Sequence, residues 1–477
     1  MRRGSVIGPL ILIGIGALFL MYILWPQIPI GDLLSRYWPF LLIVWGGLRL
    51  IEVLFWAAMS KPLPRNGVSP SEWILVFFIC IIGGTAYAVH HSAGWFPAGR
   101  TWRGMIVDMG ESFDYTLAEA SKPCVKNCRI VIESFRGTAK ITGGDASDVK
   151  VSGRKTIRSF QQTDADQADK ETQLELISQG DRIIVRTNQD RVRDSLRISD
   201  DIEITVPAGA SIEAHGRNGD FDIQAVNGTV DIDSDNAGIH LENIGGNVRV
   251  ETRKSDVIRA MDVKGSVDLK GRGQDIELQN IIGQVNVNGT YVGQIQLRNL
   301  AAPLRYEDPQ ITMNLEKLPG QIHMGLGEFT GNNVIGPIRI SGRSRDVQLT
   351  EFTQSLDLNL DRGDIELRPG KTLPKMEVHI ARSGDIDLAL PSEAKFDLKA
   401  TTERGEAHND FGTPLTVDET HRGATIVGVV GGGPQLRLET SRGTVTVRKA
   451  SADELSNPAA PAPPKPPKAP LKVEQDQ

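Results

Sequence analysis

From about residue 219 onward, the chain repeats a short unit in which a glycine-rich or polar turn precedes an apolar–polar–apolar triplet. This alternation predicts short β-strands that bury one face. The apolar pairs are Phe221/Ile223, Val230/Ile232, Ile239/Leu241, Val248/Val250, Val267/Leu269, Ile276/Leu278, Val285/Val287 and Ile295/Leu297. With a degenerate unit placed at Val257, successive pairs begin 9 or 10 residues apart.

The turns between these strands alternate between two kinds. One kind contains an apolar residue, at Val226, Ile244, Val263, Ile281 and Leu300, and recurs every 18 or 19 residues. The other kind is polar, as in the segments DSDNAG and KGRGQD. The repeating unit is therefore a coil of two strands and two unlike turns. Stacked coils of this kind predict a mainly β fold, a parallel β-solenoid (β-helix), in which neighbouring coils bury each other's apolar faces.

The repeat continues to about residue 449 but becomes irregular after residue 300. Units of sequence GPIRI, RDVQL, GDIEL, GDIDL and GTVTV begin at Gly336, Arg345, Gly363, Gly384 and Gly443. We expect the stretch from Ala301 to Thr330 to form looser coils or insertions. Residues 114–210 are rich in strand-forming sequence without the period. They are expected to begin or cap the solenoid, with a loop over Gln161–Lys170.

The N-terminal part follows a different pattern, with three long apolar segments at 6–25, about 38–59 and 73 to about 89. About 20 apolar residues cross a bilayer as a helix. The fold is therefore expected to include N-terminal transmembrane α-helices. All seven Trp lie before residue 103, a distribution typical of membrane interfaces.

Positive charges flank these segments unevenly. Arg2, Arg3, Lys61 and Arg65 lie on the side that the positive-inside rule assigns to the cytoplasm, whereas the short first loop holds only Arg36. Three crossings then leave the rest of the chain outside. We expect a multi-pass protein of the bacterial cytoplasmic (inner) membrane whose C-terminal domain is extracytoplasmic, either periplasmic or at the cell surface.

The sequence pattern divides the chain into five parts. These are a three-helix transmembrane region (1–92), a juxtamembrane linker (93–113), a non-periodic β-rich start (114–210), the solenoid repeats (211–449) and a disordered tail rich in Pro, Ala and Lys (450–477).

Two pairs of residues are candidates for special roles. Arg49 and Glu52 stand within the second apolar segment, three positions apart and therefore on one helix face. Intramembrane charges often mark function, but a self-neutralising pair that faces the bundle is the simpler interpretation. Cys124 and Cys128 allow a disulfide, two free thiols or half of a metal site. A disulfide requires a turn between them, because an extended strand would hold them too far apart.

Motifs for catalysis are missing from the sequence. No Walker loop, HExxH or GxSxG segment is present, and a net charge of -6 gives no basic surface for nucleic acid. Asp231, Asp233, Asp235 and Glu242 follow the spacing of a calcium loop, but the first of them sits at an outward position of a repeat strand. We expect no catalytic residue, no cofactor and no metal site.

The GDIEL and GDIDL units, the segment VPAGASIEA and the NxxG turns resemble a bacterial adhesin-like repeat domain, a family of unknown function, over about residues 114–449. The segment WPFLLIVWGGLRL resembles the transmembrane region of Lia-type envelope-stress proteins. These resemblances imply a β-solenoid displayed at the cell envelope and supply no catalytic residues.

Three functions follow as hypotheses. The first is a non-enzymatic envelope protein with a structural or interaction (adhesin-like) role. The second is a regulatory or sensor component of envelope-stress signalling, and the third is a polysaccharide-binding or polysaccharide-cleaving β-helix. The expected partners are the lipid bilayer and either envelope proteins or cell-wall and surface polysaccharide.

Overall fold

A computed structural model of the protein describes residues 111–124, 127–192 and 196–451. Within these residues, no helix has both the length and the apolar character needed to cross a bilayer. The three predicted spans, Arg49, Glu52 and nearly all of the predicted tail lie outside the described residues. The described part is mainly β.

The strands fall into three groups along the chain. The first comprises β1 (Glu111–Pro123), β2 (Arg129–Gly144), β3 (Asp148–Ser159), β4 (Glu175–Gln179), β5 (Arg182–Arg186) and β6 (Arg197–Pro207), with helix α1 (Gln162–Glu171) before β4 and a 3-10 helix (Gln189–Arg191) after β5. The second comprises β7 (Ser211–Gln224), β8 (Val230–Asn236), β9 (Ile239–Ile244), β10 (Val248–Val263), β11 (Val267–Ile281), β12 (Val285–Tyr291) and β13 (Ile295–Leu300).

The third group forms the rest of the stack. It comprises β14 (Leu304–Glu307), β15 (Ile311–Leu315), β16 (Leu318–Met324), β17 (Glu328–Val334), β18 (Ile338–Ser344), β19 (Asp346–Phe352), β20 (Ser355–Arg362), β21 (Ile365–Arg368), β22 (Lys375–Ser383), β23 (Ile386–Leu390), β24 (Phe396–Thr402), β25 (Ala407–Asp410), β26 (Thr416–Glu419), β27 (Ala424–Val430), β28 (Gln435–Thr440) and β29 (Val445–Lys449).

Successive coils in the second group pair in parallel and in register. One buried column contains Ile212, Val230, Val248, Val267, Val285 and Leu304, and a second contains Phe221, Ile239, Ile258, Ile276 and Ile295. Steps of 18 or 19 residues therefore place each apolar side chain on its counterpart in the next coil. Each fully buried Val, Leu or Ile contributes roughly 1.5–3 kcal/mol.

One unit of the predicted repeat begins one residue later in the structure than expected. Val257 was expected to begin a strand pair, but its side chain is 36% exposed, and Ile258 pairs with Ile239 and Ile276 instead. The register between β10 and β11 shifts between Thr252 and Ser255, where β10 has one more residue than its neighbour. This bulge carries the following apolar residues one position further along the chain.

The apolar turns form the inner side of one corner of the solenoid. Val226, Ile244, Val263 and Ile281 are all buried. The residue before each of them has a positive φ between 56° and 57°, and Asn or Asp supplies most of these left-handed positions. This corner therefore redirects the chain while it buries an apolar side chain.

The chain reverses direction within the stack between residues 304 and 334. β14 and β15 form one hairpin and β16 and β17 a second, so β15 and β16 run against the neighbouring coils. β16 pairs antiparallel with β13, and β15 pairs antiparallel with β18. Here the expected parallel pairing gives way to antiparallel pairing.

This reversed stretch is not loose, as the sequence led us to expect. Tyr306, Met313, Ile322 and Phe329 are each at most 1% exposed. Two hairpin turns replace the usual corners, which changes the spacing along the chain but not the burial. The prediction of looser coils or insertions is therefore wrong, because irregular spacing here reflects a change in chain direction.

Regular coils resume after the reversal and end with a change of order. The pairs β20/β21 and β22/β23 stack in parallel, and β28/β29 stack on β22/β23. β24 and β25, although earlier in the chain, pair with the other edge of β28 and β29. β27 then pairs antiparallel with β24, and β26 with β27, which covers one end of the stack.

The N-terminal group supplies the other end. β2 pairs in parallel with β7 from Arg129 to Thr142, with register shifts around Phe135, so a coil already lies within the segment expected to be non-periodic. β5 and β6 pair with the two halves of β2, and β4 and β3 pair antiparallel with them.

The loop predicted over Gln161–Lys170 is wrong, since this segment forms α1. Ala165 and Ala168 pack against Ile157 and Ile198. Two small apolar residues give a helix too faint a periodicity to recognise in an otherwise polar segment.

Candidate interaction surface

Cys124 and Cys128 form a disulfide in the structure, with Cα atoms 5.8 Å apart. Asn127, which lies between them, has a φ of 70° and provides part of the turn that brings the two residues together. Cys128 is buried and belongs to the core, whereas Cys124 packs against it from a partly buried position. The disulfide joins the loop after β1 to the start of the first coil.

The acidic residues with calcium-loop spacing do not converge. Asp231 and Asp233 point outward from β8, and Asp235 lies 3.2 Å from the Nε of Arg253. Glu242 lies on β9, the other strand of the same coil. In the described residues no cluster of three or more His, Cys, Asp or Glu side chains could hold a metal ion.

The aspartates of the RDVQL, GDIEL and GDIDL units have a structural role at the polar corner. The carboxylate of Asp346 accepts a hydrogen bond from the backbone N–H of Asp364 at 2.9 Å, and Asp364 accepts one from Asp385 at 2.9 Å. Asp385 in turn accepts the N–H of Thr444 at 2.7 Å. Each carboxylate thus satisfies a backbone donor of the next coil, which explains why aspartate precedes the strand.

The outward side chains form two faces of different character. The first face, which we name the charged face, consists of the outward side chains of β8, β12, β14, β15, β18, β20, β22, β28 and the first halves of β10 and β11. Most of these side chains are exposed. Ion pairs connect neighbouring coils, such as Lys270 with Glu251 at 3.0 Å, and this contact lowers the pKa of Glu251. Exposed pairs of this kind keep the surface soluble but stabilise it little.

The second face, which we name the shielded face, consists of the outward side chains of β9, β13, β16, β17, β19, β21 and the second halves of β10 and β11. Most of them are half-buried, and the exposed ones include Arg298, Glu328 and Asp346. Contacts between coils contribute to this shielding: Arg259 donates to Glu277 at 2.6 Å, and Gln348 donates to Glu366 at 3.0 Å. The two faces therefore differ in solvent access although the coils that build them are the same.

The centre of the shielded face is almost free of charge. We call its residues the uncharged strip: Gln296, Gln321, His323, Thr330, Asn332, Gln348 and Thr350. They occupy the central outward positions on β13, β16, β17 and β19. The charged outward residues of the same strands are Arg298 on β13 and the register-paired Glu328 and Asp346 at the starts of β17 and β19. The strip crosses the reversed part of the chain, because β16 belongs to both.

Hydrogen bonding within the strip is incomplete. The Asn332 amide donates to the Thr350 hydroxyl at 3.0 Å, and that hydroxyl donates to the Gly331 carbonyl at 3.3 Å. Gln321, His323 and Thr330 make no side-chain hydrogen bond to any described residue. The strip therefore presents unused donors and acceptors at half-buried positions.

An open depression of about 570 Å³ adjoins the strip and shares Thr330 and Gln348 with it. Its other rim holds Asp346 and Asp364, whose carboxylates are engaged by the backbone as described above. Leu326, at the tip of the second hairpin, is 89% exposed beside it. The depression gives the strip a concave border with an acidic edge.

A buried polar cluster lies apart from the strip, in the N-terminal group. Lys155 and Asp200 face each other across β3 and β6, and both are buried. The Lys155 ammonium contacts Asp169 at 2.9 Å, and Gln189 donates to Asp200 Oδ2 at 2.8 Å. Asp200 Oδ1 has no partner among the described residues, and burial raises the pKa of Asp200 to about 7. This cluster bears on stability.

Sequence reasoning did not find the strip. Its one signal was the occurrence of Gln, Thr, Asn and His at successive outward positions in four short segments, QLR at 296–298, QIH at 321–323, TGN at 330–332 and QLT at 348–350. The reversal breaks the period there, so the residues could not be aligned into columns from the sequence.

The fold and its surface define a β-solenoid-like repeat protein with one shielded polar face. The sequence matches the Toastrack DUF4097 family over residues 128–448, which is more than half of the chain, and the chain belongs to that family. Among solved structures, one named "putative cell adhesion protein", from Clostridium sporogenes, shares 8% identity and a TM-score of 0.17. The match covers 70% of this chain and 100% of that one, and at this score it carries no argument. Curated proteins provide no match.

Proposed function

We propose that this protein is a non-enzymatic cell-envelope protein whose solenoid serves as an adhesin-like interaction surface, with the shielded face as the side that binds. The single observation that carries the proposal is the uncharged strip. Its side chains are half-buried, yet Gln321, His323 and Thr330 have hydrogen-bonding groups without partners in the described structure. Polar groups in a sheltered position gain more from a ligand than groups already surrounded by water.

An interaction role agrees with how polar residues are distributed. Solenoids offer extended surfaces, and their outward residues follow the repeat instead of meeting at one point. Of the carboxylates beside the strip, those of Asp346 and Asp364 accept backbone N–H groups of neighbouring coils. Glu366, which accepts the amide of Gln348, is paired with Arg368. They are therefore poorly placed to act as an acid and base pair, which favours binding over cleavage.

The membrane part of the proposal depends on the sequence. The three apolar segments before residue 92 would anchor the chain, and the few flanking Lys and Arg residues favour an extracytoplasmic solenoid. Such a location would present the shielded face to other components of the envelope.

One experiment addresses location and occupancy together. Single-cysteine reporters Thr330→Cys, on the strip, and Ser341→Cys, on the charged face, would be made in the full chain and labelled with a membrane-impermeant maleimide. The native Cys124 and Cys128 are joined to each other and do not compete, and Cys80 would be replaced by alanine in both reporters. Labelling rates in intact cells would be divided by rates for the same variant after purification, which removes the intrinsic difference in exposure.

We expect both reporters to react in intact cells, because the solenoid lies outside. We expect Thr330→Cys alone to react more slowly in cells than in the purified protein, because a partner covers the strip. Failure of both reporters to react until the cells are opened would contradict the location. Equal rate ratios at the two sites would contradict the binding face.

A further inference from the structure

We infer that the uncharged strip binds an uncharged, hydroxyl-rich linear polymer, namely a neutral polysaccharide that lies along the stack of coils. This inference rests on the proposed function and names the chemistry of its partner. It depends on three features of the strip: its charge, its free hydrogen-bonding groups and its spacing.

The lack of charge on the strip argues against a charged polymer as the ligand. Three charged side chains point outward from the strip's four strands. They are Arg298, whose guanidinium donates to Gln296 at 3.3 Å, and Glu328 and Asp346, which pair with each other in the strand register at the starts of β17 and β19. Just beyond the strip, Glu277 is paired with Arg259, and Glu366 with Arg368. The strip itself holds no charge that would attract a charged polymer, and a polyanion would also meet the carboxylates of Glu328 and Asp346 on the rim of the adjoining depression.

Hydrogen bonding favours a glycan over a protein. The amide of Gln321 both donates and accepts, as does the hydroxyl of Thr330, and sugar hydroxyls do the same. Neither side chain has a partner among the described residues. A protein interface would instead need an apolar centre. The outward positions of the strip contain no apolar residue, and the exposed Leu326 stands outside it.

Spacing favours a polymer over a small sugar. Neighbouring strands lie about 4.8 Å apart, so the four strands of the strip span roughly 14 Å along the stack. Gln296, His323, Thr330 and Gln348 form one row along that direction, since each pairs with the next. A chain of repeating sugars can place a hydroxyl at each strand, whereas a single sugar would reach about two.

Binding of soluble polysaccharides to the purified full chain tests this inference. Dextran and laminarin would serve as neutral probes and hyaluronate as the polyanionic one, with affinity measured by retardation in gels that contain each polymer. The strip variant Gln321→Ala/Thr330→Ala/Asn332→Ala would be compared with Thr312→Ala/Asn314→Ala/Ser341→Ala. The control removes uncharged polar groups from β15 and β18 on the charged face. Thermal unfolding of both variants checks that they remain folded.

We expect at least one neutral polysaccharide to bind and hyaluronate to bind at least tenfold more weakly. The strip variant should lose about tenfold or more in affinity, as expected for two or three lost hydrogen bonds, while the control keeps wild-type affinity. Equal losses in the two variants, preference for hyaluronate, or no binding to any neutral polymer would overturn the inference. If the Thr330→Cys reporter is nevertheless protected in cells, the binding face stands and only the class of partner is wrong.

Discussion

Replacement of Gly363 by alanine tests how closely the coils stack at the polar corner. Gly363 has a φ of 124°, a region that side-chain-bearing residues rarely adopt. A Cβ atom at this position would lie 2.0 Å from the carbonyl oxygen of Arg345 in the preceding coil. Gly384 approaches Gly363 in the same way, also at 2.0 Å. Gly363 and Gly384 thus lie at positions where the backbones of neighbouring coils are in direct contact and leave no space for a Cβ atom.

The size of the effect follows from two contributions. Holding alanine at this φ costs about 1–3 kcal/mol. Relief of the overlap with a backbone oxygen requires the coils to separate, and overpacking of this kind costs roughly another 1–3 kcal/mol. We therefore expect Gly363→Ala to lower the free energy of unfolding by about 2–6 kcal/mol.

Thermal unfolding of the full chain, followed by circular dichroism, measures this change. Domains of 150–250 residues lose about 2–4 °C in midpoint for each kcal/mol and larger ones lose less, so a fall of a few degrees is expected. Gly370→Ala is the matched control, since a Cβ there meets nothing within 4 Å. Equal midpoints for the two variants would refute the close stacking of the coils at Gly363.

Three further predictions concern other parts of the solenoid. In urea unfolding, Asp364→Ala should lower the free energy of unfolding by about 0.5–1.5 kcal/mol, because a backbone N–H loses its acceptor. Two controls should lower it less: Asp364→Asn, which keeps the acceptor, and Asp361→Ala, which alters an exposed site. The folded pKa of Asp200 is about 7 against an ordinary value of 3.8, so its favourable contribution exists below pH 3.8 and is lost as pH rises through 7. Asp200→Asn should therefore be more stable than wild type at pH 8 by up to about 4 kcal/mol and similar to it at pH 4, and a constant difference between the two pH values would contradict this assignment. A reductant should lower the unfolding midpoint of wild type by the equivalent of about 2 kcal/mol but leave Cys124→Ser/Cys128→Ser unchanged, and equal shifts would show that the disulfide contributes nothing.

The sequence predicted the regular coils well because a single physical rule governs them. Residues such as Val230 and Val248 must be apolar to meet in the core, and the 18- or 19-residue step follows directly from their spacing. The apolar corner could also be predicted, since Val226 and Ile244 recur with the same step. Where coils stack in parallel without insertion, the period of the sequence directly gives the register between neighbouring strands.

The parts that could not be predicted depend on pairing between distant segments. The bulge at Thr252–Ser255 adds one residue, and nothing local distinguishes Val257 from Ile258 as the buried position. Hairpins at residues 308–310 and 325–327 reverse the chain, and β28/β29 insert beneath β24/β25, so order along the chain no longer matches order in the stack. The uncharged strip lies across the reversal, and its residues are neighbours only because β16 pairs antiparallel with β13.

The most direct test of the shielded face as the binding side is photo-crosslinking in cells that make the full chain. A benzophenone amino acid would replace Gln348 on the strip or, as control, Asn359 on the charged face. We expect irradiation to join the strip position, and not the control, to a component of the envelope other than this protein itself. Crosslinks at Asn359 alone, or at both positions equally, would contradict the shielded face as the surface through which this protein acts.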